Sequence, residues 1–115
     1  MRSLPSTLRV VLFALAVACS GTGGPSLRVT SAEAHALVDH GATLLDVRSQ
    51  AEWDGGHLPG AVLIPVQELA GRIAEVPRDR PVVVYCQSGG RSAQAAATLA
   101  AAGYEVHDLG GLGNW

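Results

Sequence analysis

The spacing of apolar positions changes several times along the chain, and each change marks an element. Val82-Val83-Val84-Tyr85 is an unbroken β-branched and aromatic run, the pattern of a strand buried on both faces. Ala42 to Arg48 is a second mostly apolar strand, and Ala61 to Pro65 a third that proline ends. Leu27-Arg28-Val29 and Tyr104 to Leu109 complete the predicted strands. Between them the period lengthens. Thr30 with Glu33 three residues on forms a capping box that opens a helix to about Asp39. Val66, Leu69, Ala70, Ile73 and Val76 lie at helical spacing, which predicts one helix over Val66 to Val76. An alanine-rich helix follows from Arg91 to Ala102 and is closed by Gly103. Ser49 to His57, polar and glycine-containing, reads as a loop or one short turn, and Pro77 to Pro81 as a turn. Strands alternating with crossovers of this length predict an α/β fold, a small parallel β-sheet flanked by helices on both faces.

The first segment follows another grammar. Arg2 and Arg9 precede the apolar run Val10 to Ala18, which is too short to span a bilayer, and small residues follow. Residues 1–18 therefore read as an export signal. Ala16-Val17-Ala18 fits cleavage by ordinary signal peptidase, while Ala16-Val17-Ala18-Cys19 resembles a bacterial lipobox in which Cys19 is lipidated. The lipoprotein is the favoured expectation, with residues 19–26, Gly- and Ser-rich, as a flexible tether. The protein is then exported, either anchored to a membrane through lipid or free in the periplasm.

Composition narrows the chemistry. At 115 residues and 48% apolar, the chain holds one packed domain, over residues 27–115. Its net charge is −2, it contains no lysine, and no basic run occurs, which argues against nucleic acid as a partner. No set of His, Cys, Asp and Glu has a metal-binding spacing, and no cofactor is implied. A monomer is expected. In an oxidising compartment a lone thiol in the domain body is either inert or at work.

The neighbours of Cys86 favour work. Cys86 ends the most apolar strand, where parallel sheets bind ligands, and Gln87-Ser88-Gly89-Gly90-Arg91-Ser92 leads into a helix. Gly89 and Gly90 allow a tight turn with N–H groups around the sulfur, the helix offers its positive end, and Arg91 adds a charge. Each favours the nucleophilic thiolate over the thiol. Asp46 and Arg48, at the end of an adjacent strand, either orient the loop or merely close an ion pair. His57 reads as structural, and Trp53 and Trp115 as packing residues.

Here the chain resembles the single-domain rhodaneses. Cys86-x-x-Gly89-x-Arg91-Ser92 is similar to their active-site loop, and Leu45-Asp46-Val47-Arg48 to their strand-end motif. Glu52 with Gly56-His57-Leu58-Pro59-Gly60-Ala61 and Ile64-Pro65 resembles a second signature, and Gly103-Tyr104 with Leu109 to Trp115 the closing segment. The resemblance implies that Cys86 takes a sulfane sulfur from a small anionic donor such as thiosulfate, becomes a persulfide, and passes the sulfur to a thiol or to cyanide. Gln87, Ser88, Gly89, Gly90, Arg91 and Ser92 would bind substrate, and Arg91 would either hold the donor or pair with an acid. The chain departs from the two-domain members, whose basic residues fall where Ser88 and Glu52 stand here, so thiosulfate is expected to be a poor donor. Two other functions compete. One is a persulfide relay or binding module with little small-molecule turnover. The other is a cysteine-loop phosphatase or arsenate reductase, which needs a loop one residue longer than the four residues between Cys86 and Arg91.

Overall fold

The structure is a computed structural model and describes residues 27–115. The export signal, the Cys19 lipidation site and the tether expected from the sequence lie outside the described residues.

Four strands form one sheet: β1 (Thr43–Asp46), β2 (Val62–Leu63), β3 (Val82–Cys86) and β4 (Val106–Gly111). Their order across the sheet is β2-β1-β3-β4, and every neighbouring pair is parallel. β3 lies inside this sheet and is buried along its whole length, which is why its sequence carries no alternation. Its side chains still alternate across the sheet. Val82, Val84 and Cys86 join one core with Leu69 and Val76 and with Ala95, Ala96 and Leu99, whereas Val83 and Tyr85 join a second core with Ala34 and Leu58.

The helices divide accordingly. α1 (Ser31–Asp39) packs on the Val83–Tyr85 face, with Ala34 buried and Leu37 and Val38 against it. The predicted capping box at its start is present, Thr30 Oγ1 accepting from Glu33 N and Glu33 Oε1 from Thr30 N. α4 (Gly90–Ala101) covers the other face through Ala95, Ala96 and Leu99. This is the expected sheet with helices on both sides.

Four details differ from the sequence reading. Leu27 to Val29 forms only an isolated parallel bridge, Arg28 to Asp108, rather than a strand. The segment read as a turn at Ser49 to His57 contains a short helix, α2 (Gln50–Asp54), capped by Ser49 and Glu52 in a second capping box. The helix expected over Val66 to Val76 is α3 (Val66–Leu69) followed by a 3₁₀ segment, Ala70–Glu75, kinked at Arg72. There Arg72 bonds Glu68 on one side and Glu75 on the other, bridging the kink. Finally β4 runs two residues past Leu109. It carries one extra residue against β3, so that Val84 faces Asp108 but Tyr85 faces Gly110. Asp108 Oδ1 accepts from Gly110 N at 2.9 Å and holds this bulge, with Gly110 at φ +86°.

Candidate active site

The C-terminal ends of β1, β3 and β4 bring the site together. Cys86 is the last residue of β3, is buried, and is opposite Gly111 of β4. The chain then turns through Gln87 and Ser88 to Gly89, whose φ of +113° belongs to the left-handed region that glycine enters without strain. Gly90 begins the helix with open space where a Cβ would stand. Of the two glycines expected to shape the turn, only Gly89 is required there by its backbone.

α4 has no side-chain cap from Gly89, so its first N–H groups need another acceptor. The sulfur supplies one. Gly89 N donates to Cys86 Sγ at 3.0 Å. Burial pushes the Cys86 thiol up, but hydrogen bonds from the Ser92 hydroxyl and from the amides of Ser92, Gly89 and Ser88 outweigh it, and the net shift is downward. Ser92 is fully buried, and its Oγ also reaches the Gly89 carbonyl at 3.1 Å. One hydroxyl proton thus has two acceptors, sulfur and loop carbonyl.

Beneath the loop lies a buried charge pair. Asp46 and Arg48 are 0% and 3% exposed, and Arg48 Nε and Nη2 both donate to the Asp46 carboxylate, the shorter contact being 2.7 Å. Arg48 makes two further contacts: Nη1 donates to Gln87 Oε1 at 3.1 Å and Nη2 to the Gly56 carbonyl at 2.8 Å. The Asp46 hydrogen bond, only partly offset by burial, holds the Arg48 guanidinium above its ordinary affinity for a proton. The pair closes the strand end, and Arg48 Nη1 also bonds the loop at Gln87. Tyr85 stands beside them. Its hydroxyl accepts from Leu58 N at 3.1 Å, and burial, with the Asp46 contact, pushes its pKa up to about 12.

At the rim Arg91 meets an acid. Its Nη1 and Nη2 donate to Glu52 Oε1 and Oε2 at 2.7 and 2.9 Å, a bidentate pair 38% and 32% exposed. Glu52 is held from behind as well, its Oε1 accepting from Ser49 N at 3.0 Å and Ser49 Oγ at 2.9 Å. The Arg91 hydrogen bonds, with the Ser49 amide, hold the Glu52 carboxyl well below the usual carboxylate range. Of the two roles open to Arg91, the one visible is pairing with an acid. A cation in the first turn of a helix also opposes the helix dipole, and Glu52 offsets that charge.

Gly110 and Gly111 underlie the loop, a contact the sequence reading missed. A Cβ on Gly111 would stand 2.7 Å from the Gln87 carbonyl oxygen, so the backbone of β4 touches the loop with no room for a side chain. The signal was the glycine pair after a strand, which marks close backbone approach. His57 stacks on Trp53 at 3.5 Å and lies within its own turn, and Trp115 packs against His35, as structural and packing residues would. Among the described residues no group of three His, Cys, Asp or Glu side chains is placed to hold a metal ion.

Known proteins are similar to this chain in sequence and fold. The model of the rhodanese-like domain matches residues 30–115. The chain is 45% identical over 76 residues to the protein YqhL of Bacillus subtilis, covering 64% of this chain and 60% of that one. It is 36% identical over 90 residues to the thiosulfate sulfurtransferase GlpE of Pseudomonas syringae, covering 76% and 85%. A rhodanese homologue from Thermus thermophilus superposes with a TM-score of 0.64 at 32% identity, covering 76% of this chain and 99% of that one. Several curated relatives are longer. The chain spans 29% of a Mycobacterium tuberculosis transcriptional regulator and 24% of a probable adenylyltransferase/sulfurtransferase from the same species.

Proposed function

The chain belongs to the rhodanese-like domain family, and on that premise we propose that it is a sulfurtransferase with Cys86 as the sulfur carrier. The observation that carries this reading is the sulfur at the start of α4, in place of a cap and bonded by Gly89 N at 3.0 Å. The shift of the thiol toward its ionised form supplies the nucleophile. In the first step the Cys86 thiolate attacks the outer sulfur of the donor. A new S–S bond forms, and the old bond to that sulfur breaks with its electron pair on the leaving group, sulfite when the donor is thiosulfate. In the second step a thiolate or cyanide attacks the outer sulfur of the persulfide, and Cys86 leaves as thiolate. The loop amides that stabilise the thiolate also suit the persulfide anion, with no reorganisation between steps. The four-residue interval between Cys86 and Arg91 supports sulfur rather than phosphorus chemistry.

A second reading, delivery of the persulfide to a partner with little small-molecule turnover, is favoured by the engagement of Arg91 with Glu52. Both readings need the persulfide. Incubating the protein with a sulfane donor should add one sulfur atom to its intact mass, and Cys86→Ser should abolish that gain and all cyanolysis while keeping its circular dichroism. Sulfur transfer by the folded variant would refute the assignment. Persulfide formation with negligible turnover to cyanide or thiols would select the relay.

A further inference from the structure

We propose that Glu52 is the specificity-determining residue of the Cys86 site, directing it toward sulfane donors that carry one negative charge and away from the thiosulfate dianion. The inference rests on the sulfurtransferase reading above.

The argument starts from the charge that a donor meets. The nucleophile is itself an anion, so an incoming anion is repelled unless a cation near the loop remains available. Among the described residues, Arg91 belongs to the loop and Arg48 bonds to it. Arg48 is buried and bound to Asp46. Arg91 presents both ends of its fork to Glu52, the same two donors that would hold a pair of sulfonate oxygens. Each cation is matched by one carboxylate, and the thiolate is left as the net charge of this group. The hydrogen bonds that Arg91 donates to Glu52, helped by the fields of Glu52 and Cys86 and opposed by burial, strengthen its hold on its proton.

Glu52 cannot simply swing aside for an arriving donor. Its Oε1 also closes the capping box of α2 by accepting from Ser49 N and Ser49 Oγ, so rotation away from Arg91 would leave the Ser49 amide without its acceptor. The pair lies at the rim with about a third of each side chain exposed, where a donor passes it. A thiosulfonate or an organic persulfide brings one charge to this setting, whereas thiosulfate brings two. With the thiosulfonate, the Cys86 thiolate bonds the terminal sulfur as the S–S bond to the sulfonyl group breaks, and sulfinate leaves with the electron pair.

The test compares benzenethiosulfonate and thiosulfate, with cyanide as acceptor, in the wild type and in Glu52→Gln. Glutamine can keep the capping box at this position while removing the charge. The wild type should use the thiosulfonate better. Glu52→Gln should raise the thiosulfate-to-thiosulfonate ratio of kcat/KM by roughly tenfold at low salt, an effect that added salt erodes. An unchanged ratio in the folded variant, or a wild type that prefers thiosulfate, would overturn the proposal. The wild type alone gives a second reading should the variant fail to fold. Added salt should raise kcat/KM for thiosulfate more than for thiosulfonate, because repulsion of the dianion is screened, and a fall for thiosulfate would refute a site without spare positive charge. If neither donor adds sulfur to Cys86 by intact mass, the sulfurtransferase reading fails and this inference with it. Persulfide formation with an insensitive ratio sinks only the role of Glu52.

Discussion

Two arginine–carboxylate pairs contact the cysteine loop, one from beneath and one at the rim. Asp46 and Arg48 sit two residues apart at the end of β1, are essentially without exposure, and have their hydrogen-bonding groups taken up by Gly56, Gln87 and each other. Glu52 and Arg91 come from different elements, 39 residues apart, and meet where water reaches both. The same ionic chemistry thus serves two ends. Out of water, two charges must satisfy one another or the fold suffers, so the inner pair acts as a fixed floor. At the rim, solvent screens much of the attraction, and what the outer pair governs is the charge presented to ligands.

The contrast can be broken at its buried side first. Asp46→Ala leaves the Arg48 guanidinium buried without its carboxylate and should cost about 3–5 kcal/mol, read as a loss of urea midpoint. A smaller loss is expected from Tyr85→Phe. It removes the only hydroxyl bonded to the buried Leu58 amide, and an unsatisfied buried donor costs about 1–3 kcal/mol. A loss for Tyr85→Phe as large as that for Asp46→Ala would mean that the hydroxyl, not the ion pair, anchors this floor.

The outer pair should show the smallest effect. Glu52→Gln is expected to cost no more than about 1 kcal/mol at neutral pH, the range of solvent-screened ion pairs. Its pH dependence has a definite sign. The folded state lowers the Glu52 carboxyl below its ordinary value of 4.5, so the unfolded chain takes up that proton first. The stability that Glu52 contributes is complete above that ordinary value and is lost as pH falls toward the lowered one. Urea titrations of both proteins between neutral and acid pH should therefore converge on acidification. A gap that widens in acid would contradict the pairing.

Much of this was legible in the sequence, for reasons that also explain the gaps. The β3 run and the loop after it declare themselves because a strand buried on both faces loses its alternation, and because the turn needs glycine at residue 89. The capping box of α1 announced itself beside an apolar stripe at helical spacing. That of α2 was the same kind of signal, Ser49-x-x-Glu52, but a five-residue segment too short to show an apolar stripe hid the helix it begins. The Glu52–Arg91 contact had no local trace at all. It exists only because parallel pairing brings the ends of β1 and β3 side by side. The kink at Arg72 was equally silent, since Leu69, Ile73 and Val76 face the core across a 3₁₀ segment much as they would along one helix. The extension of β4 past Leu109 depended on a bulge, and there Gly110 was the one written clue.

The close seating of Gly111 against the Gln87 carbonyl bears on the order in which the chain becomes competent. Cys86 and its helix are made before β4, and until β4 docks, β3 is an edge strand with open hydrogen-bonding groups at Cys86. A nascent chain that has reached only Ala101 holds its thiol in a loop lacking one wall. The wall behind the loop is accordingly supplied by β4, and a truncation or slowed synthesis within residues 106–111 would leave the Gln87 carbonyl without its packing partner although the loop sequence itself is intact.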